Sequence, residues 1–360
     1  MVKAVVVNEV DGAPQVCEID PGPVGVADVR VRIVAAGVCH SDLSMQNGTV
    51  GVQYPVVLGH EASGVVVETG SDVSSISVGQ NVVLNWAAPC RTCWFCHNGE
   101  PWLCSAVEGV TTVERGTLAD GTPLNQGMGV GAFAEEVVVP AASVVPLPEG
   151  VPLDLAALLG CAVLTGVGAV RNTADVRPGE SVLVIGQGGI GLAAVMGAKL
   201  AGADPIIAVD VSPDKESLSI AAGATHFLVS HPKLSKDVRA LTEVRGVDHS
   251  FECVGAAATI RAAWGSTRRG GSCIIVGVGR KEQEVIFNPL ELFHFSRTLT
   301  SSIYGASDPD RDVPVLAEDV RSGRLGLDDL VTHRITLEEI GDAFERMKSG
   351  QGARSIIKIG

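Results

Sequence analysis

Apolar and charged residues alternate with period two in Val29-Arg30-Val31-Arg32-Ile33, the mark of a strand with one buried and one wet face. Short runs of similar character occupy 64–68, 81–86 and 133–139, with Gly, Pro and Asn between them. This pattern predicts an antiparallel barrel or sandwich over about the first 150 residues. Pro146-Leu147-Pro148-Glu149-Gly150 reads as a linker. Beyond Arg177-Pro178-Gly179 the rhythm changes. Continuous apolar strands at 181–185, 206–210, 247–253 and 272–276 are separated by helical stretches, one over 189–201 and another from Pro213. Strands apolar on both faces predict a parallel sheet covered by helices on each side. In the tail, Thr336-Leu337-Glu338-Glu339 is a capping box. Ile340, Ala343, Phe344 and Met347 then recur at helical spacing, Lys348 suits the negative end of the helix dipole, and a strand at 355–359 closes the chain. No internal repeat or low-complexity segment interrupts this order.

Length and charge narrow the class. The chain has 360 residues, enough for two domains, and 46% are hydrophobic, which excludes intrinsic disorder. Lys and Arg number 27 against 41 Asp and Glu, a net charge of −14, so no nucleic acid or other polyanion partner is expected. The longest apolar run, Leu155 to Val170, falls short of the ~20 residues that span a bilayer. It is expected to be a buried core helix, and no membrane partner follows. The start of the chain lacks a signal-peptide pattern, which places the protein in the reducing cytoplasm. There clustered thiols point toward metal rather than disulfides.

Three constellations carry chemistry. Cys90, Cys93, Cys96 and Cys104 lie within fifteen positions and can close a tetrahedron around Zn2+. An iron–sulfur cluster would use the same four ligands, and unrelated thiols are the plain alternative. The turn Gly186-Gln187-Gly188-Gly189-Ile190-Gly191 follows a strand and opens a helix, the setting of a dinucleotide-binding fingerprint. Asp210 ends the next strand, where a carboxylate meets a ribose 2′-hydroxyl and repels a 2′-phosphate; this favours NAD over NADP. Helix capping is the competing role for Asp210. The third group is Gly59-His60-Glu61 with Cys39-His40-Ser41-Asp42 and Cys161. Two Cys and one His leave a zinc position open for a substrate oxygen. Spacing alone does not select Cys161 over Cys17, Cys253 or Cys273.

These motifs together resemble the zinc-containing, medium-chain alcohol dehydrogenase family over nearly the whole chain. The family signature stands here as Gly59-His60-Glu61-Ala62-Ser63-Gly64 with Gly70 and Val73. All four lobe cysteines match, and Gly160-Cys161-Ala162-Val163-Leu164-Thr165-Gly166 resembles the segment bearing the third catalytic ligand. The resemblance implies an α/β fold, a GroES-like β-barrel domain at 1–162 and 303–360 with a doubly wound Rossmann domain inserted at 163–302. It implies two Zn2+ per chain, a catalytic one on Cys39, His60 and Cys161 and a structural one on Cys90, Cys93, Cys96 and Cys104. Glu61 would sit behind the catalytic site, Asp42 orient the His ligand, and Ser41 begin the proton relay. Gly186, Gly188, Gly189, Ile190, Gly191, Asp210, Lys215, His40, Thr165, Val278 and Arg354 match cofactor contacts for NAD. Trp86, Val278 and Ile303 match the wall of a pocket for a small alcohol or aldehyde. Relatives pair through the sheet edge near 272–278, which implies a homodimer or homotetramer.

The chain also departs from the family. Many members carry a His three residues after the relay hydroxyl, where this chain has Ser44. The glutathione-dependent formaldehyde branch carries an Arg near the position of Glu108. The segments 118–122 and 129–134 resemble actinobacterial relatives, some of which oxidise formaldehyde bound to mycothiol. The leading expectation is therefore reversible, NAD-dependent oxidation of a primary alcohol. A thiol-adduct formaldehyde dehydrogenase is the alternative within the class. A non-catalytic cofactor-binding protein is the alternative outside it, and it predicts loss of Cys39, His60, Cys161 or Ser41, all of which are present.

Overall fold

The period-two stretch lies inside the strand Asp28–Val38, where Val29, Val31 and Ile33 are buried and Arg32 is exposed. One edge of this strand pairs with Ala62–Thr69. Its other edge pairs first with Glu136–Pro140 and then with Arg354–Lys358, so the end of the chain returns to the sheet built by its beginning. Val144–Pro146, Asn81–Leu84 and Val331–Ile335 complete a seven-stranded sheet. Beside it, Val2–Val7, Gln15–Asp20, Thr112–Leu118, Pro123–Gly127 and the short Val56–Val57 close a barrel. The expected capping box forms at Thr336 and Glu339. The helix it opens, Ile340–Lys348, buries Ile340, Ala343 and Phe344 in the same core as Ile33, Leu58 and Phe133.

The computed structural model describes all 360 residues and separates this unit, Met1–Ala162 with Asp308–Gly360, from a second, Val163–Ser307. In the second unit six parallel strands lie in the order His226–Val229, Ile206–Asp210, Val182–Ile185, Val247–Glu252, Thr267–Ile275, Thr298–Ser301. The first strand in sequence is central, and the chain winds outward to one side and then to the other, the doubly wound arrangement. Leu183, Ile185, Ile207, Val209, Val247 and Trp264 form its core. The helix Gly189–Ala201 has the expected bounds and ends at Gly202 in the left-handed conformation.

Four expectations change. The 146–150 stretch is no linker: Leu147 N–H donates to the Asn81 carbonyl, and the first unit runs on to Ala162. The return from the second unit falls after Ser307 rather than at 303. Asn172 Nδ2 donates to the Gly305 carbonyl, and Ser307 Oγ donates to that of Leu164, which hold 303–307 in the second unit. The 272–276 strand is not the sheet edge, because Thr298–Ser301 pairs outside it. The apolar run 155–170 is not one helix. It breaks into Leu153–Ala156, a 3-10 turn Ala157–Gly160, Ala162–Gly168 and a π turn Ala169–Thr173, with Cys161 between them at φ −144° and ψ −75°. No single helix is long and apolar enough to cross a membrane.

Candidate metal and dinucleotide sites

Cys39 ends the long strand and caps the helix His40–Gln46. Its Sγ, a ring nitrogen of His60 and the Sγ of Cys161 all lie within 4.8 Å of one another, and all three residues are buried. The break in the 155–170 run is what delivers Cys161, which a continuous helix would carry in regular helical geometry. Gly59 precedes His60 at φ +96°, and a Cβ there would meet the Phe133 ring at 2.5 Å, so the turn that aims His60 requires glycine.

One fully buried carboxylate ties these ligands together. Asp42 Oδ1 accepts from His60 Nδ1 at 3.0 Å and from Gly59 N–H at 3.1 Å, while Oδ2 accepts from Cys39 N–H at 2.9 Å. His60 therefore turns Nε2 toward the thiols. Burial pulls the His60 pKa down, and Asp42 and Cys39 together outweigh it, so the net shift is upward. Cys39 and Cys161 divide one proton: the Cys161 thiol donates to Cys39 and holds it as thiolate well below the ordinary range, while Cys161 itself is pushed up. Ser41 Oγ stands 3.9 Å from Cys39 Sγ. Trp86 meets His60 edge-on with ring centroids 6.5 Å apart.

Glu61 is fully buried beside this group. Burial raises its pKa to about 7, opposed mainly by Arg354, whose Nη2 lies 3.5 Å from Oε2. Arg354 also donates from Nη1 to the Val38 carbonyl at 2.8 Å, and its Nε is buried without a partner. The sequence assigned Arg354 to a cofactor and Glu61 to the metal site but gave no sign that they touch. Only the pairing of the last strand with the Asp28–Val38 strand brings them together.

The four lobe cysteines converge in the same way, with every sulfur within 4.8 Å of the others. Backbone N–H groups of Cys93 and Thr92 donate to Cys90 Sγ at 3.3 and 3.5 Å, and that of Cys90 donates to Cys104 Sγ at 3.2 Å. Hydrogen bonds from Thr92 bring the Cys90 pKa to about 5, and burial pushes that of Cys96 to about 12. None of the nine cysteines forms a disulfide. Four sulfurs turned inward, with donors aimed at them, fit a tetrahedral thiolate-bound ion.

In the second unit the Gly-rich turn stands at the end of the central strand. Gly186 has φ +94°. A Cβ on Gly191 would overlap the Gly186 carbonyl oxygen, so this glycine serves helix–strand packing. A Cβ on Gly188, the N-cap of the helix, would meet nothing within 4 Å, so packing against the protein does not require that glycine. Gly189 and Ile190 open the helix. Asp210 is not a helix cap: Ser212 fills that role, accepting from Asp214 N–H. The Asp210 carboxylate accepts from Gln187 N–H at 2.7 Å and from Ser212 N–H at 3.0 Å, which sets it beside the turn. Lys215 is buried, and burial lowers its pKa. Thr165 is buried, while Val278 and Ile303 are exposed. His40 and Arg354 belong to the first unit.

Comparison with known proteins agrees with this chemistry. The family described as alcohol dehydrogenase GroES-like domain matches residues 25–149, and the one described as zinc-binding dehydrogenase matches 189–319. An S-(hydroxymethyl)glutathione dehydrogenase of Escherichia coli is 39% identical over 357 residues, covering 96% of each chain. An alcohol dehydrogenase zinc-binding domain protein from Burkholderia ambifaria superposes with a TM-score of 0.93 at 31% identity, over 100% of this chain and 99% of that one. Benzyl alcohol dehydrogenase from Acinetobacter calcoaceticus gives 0.92 at 28% identity, with the same coverage.

Proposed function

The chain belongs to the zinc-containing medium-chain alcohol dehydrogenase family, and from that premise we propose that it oxidises a primary alcohol, or reduces its aldehyde, with NAD. The observation that carries the reading is the buried meeting of Cys39, His60 and Cys161, tied together by Asp42. These three would hold the catalytic zinc, and Cys90, Cys93, Cys96 and Cys104 the structural one. Bound there, zinc would supply a Lewis acid for the substrate oxygen, and the dinucleotide would supply the hydride acceptor or donor. The protein groups do the rest. Ser41 Oγ receives the hydroxyl proton of the alcohol and passes it outward. Asp42 fixes the His60 tautomer, and Glu61 with Arg354 supports the ligands from within. The Gly186–Gly191 turn receives the pyrophosphate, and Asp210 selects a free ribose hydroxyl.

A steady-state screen of primary alcohols and aldehydes with NAD and with NADP tests this. Turnover with NAD that vanishes in Cys39→Ser, while the other zinc stays bound, is expected. A strong NADP preference refutes the role given to Asp210. The Escherichia coli relative motivates a second reading, oxidation of a thiol-bound hydroxymethyl group. Glu108, exposed beyond Cys104, opposes a glutathione adduct by charge, so an uncharged thiol such as mycothiol fits better. Formaldehyde turnover unaffected by either thiol removes this reading. We further infer a cytoplasmic homodimer or homotetramer. Nine cysteines with no disulfide among them suit a reducing compartment. The apolar surface of the second unit supports self-association.

A further inference from the structure

The four-cysteine lobe closes its polar contacts on itself. The backbone hydrogen bonds of residues 90–110 run to one another, as do the bonds onto the sulfurs and the Asn98–Glu100 pair. One side chain reaches out. Arg91 donates from Nη1 to Asp308 Oδ2 at 2.7 Å, and from Nη2 to Asp308 Oδ1 at 2.6 Å and Asp310 Oδ2 at 2.5 Å. Both acceptors stand at the start of the helix Pro309–Arg321, more than 200 residues away in sequence and in the same unit.

The backbone at Arg91 sharpens the point. Its φ is +62°, in the left-handed region that favours glycine. A turn between two metal-ligand cysteines needs that conformation but gains nothing there from a long charged side chain. Asp308 is itself held firmly. It caps the helix by accepting from Asp310 N–H at 3.2 Å, and its own N–H donates to Asp312 Oδ2 at 3.0 Å. A planar guanidinium against a fixed carboxylate is the geometry in which an ion pair gains direction as well as charge.

We propose that Arg91, Asp308 and Asp310 form an ionic clasp that pins the four-cysteine lobe onto the Pro309–Arg321 helix. Arg91 is thus a positioning residue for the metal lobe. Cys104 is buried while Cys90, Cys93 and Cys96 are half-buried, so taking the ion from all four sulfurs requires the lobe to loosen, which the clasp opposes. The consequence for metal retention rests on reading the four cysteines as a zinc site. The clasp is partly exposed, so salt weakens it.

The test compares wild-type holoenzyme with Arg91→Gly, Arg91→Lys and Asp310→Asn. Glycine suits the backbone at 91, and Asp310→Asn leaves the Asp308 cap in place. Two quantities are read: zinc release to a chromogenic chelator, and hydrogen–deuterium exchange of peptides spanning 90–105. Arg91→Gly is expected to release one of two zinc ions on the order of tenfold faster and to exchange faster in the lobe. Arg91→Lys, which keeps the charge but not the fork, falls between. At about 0.5 M salt the wild type moves toward Arg91→Gly, which itself responds little. Wild-type release and wild-type exchange in Arg91→Gly overturn the clasp. A Cys96→Ser chain that keeps the wild-type zinc content overturns the reading of the lobe as a metal site instead. Exchange then decides the clasp alone, faster exchange in Arg91→Gly supporting it and unchanged exchange refuting it.

Discussion

Asp42 shows how much one carboxylate can organise. Its two oxygens satisfy three donors, from Cys39, Gly59 and His60, in a fully buried position. Asn is nearly isosteric but has one acceptor and two added donors, so its NH2 group faces an N–H whichever way the amide turns. A buried donor left unsatisfied costs about 1–3 kcal/mol. Loss of such a partner of a ligating His lowers metal affinity or activity by about 10–100-fold. Asp42→Asn is therefore expected to melt earlier and to lose catalytic zinc while keeping the zinc in the lobe, as read by metal content per chain and kcat/KM. Wild-type occupancy and rate in Asp42→Asn would refute this role.

The elements show which features were legible in the sequence. The Gly-rich turn was readable because its determinants lie within six positions, and the structure separates two of its glycines by what a Cβ would meet. Gly191→Ala is expected to destabilise the second unit, since the new methyl overlaps the Gly186 carbonyl oxygen. Gly188→Ala should leave the melting temperature near wild type and weaken NAD binding, measured by nucleotide fluorescence. A Gly188→Ala protein with normal affinity removes the assignment of that backbone to the pyrophosphate. Asp248 was not legible, because its role exists only once three strands align. It accepts from Ser181 N–H at 2.8 Å, from Ser181 Oγ at 2.6 Å and from Arg268 Nε. Burial alone would raise its pKa, but these bonds bring it to about 2. The unfolded value is about 3.9, so the stability it adds is present above about pH 4 and is lost as pH falls toward 2. The urea midpoint of Asp248→Asn should lie below wild type at neutral pH, and the gap should narrow as pH falls from about 4 toward about 2. A gap independent of pH contradicts the shift. The break at Cys161 was hidden for the same kind of reason: an apolar run reads as one helix, and only convergence with Cys39 and His60 explains why it stops.

At the scale of the molecule, the sheet edge bears on self-association. The strand Thr298–Ser301 ends the six-stranded sheet, outside the strand from which pairing was expected, so its outer backbone groups have no neighbour in the chain. An uncovered edge is a template for another chain. The segment leading to it is apolar on its surface: Leu290 and Phe293, three apart on the helix Pro289–Phe295 and so on one face, are 70% and 84% exposed, and Ile286 is exposed just before them. Side chains of this size gain about 1.5–3 kcal/mol each when fully withdrawn from water, which a second copy could supply. Phe293 belongs to no core cluster and stands in solvent, so a charge introduced there would not disturb the fold. Light scattering on wild type is expected to give a dimer or tetramer, and Phe293→Glu a smaller species with an unchanged melting profile of its secondary structure. A wild-type monomer would refute self-association. A Phe293→Glu protein that keeps the wild-type mass would move the interface away from this edge.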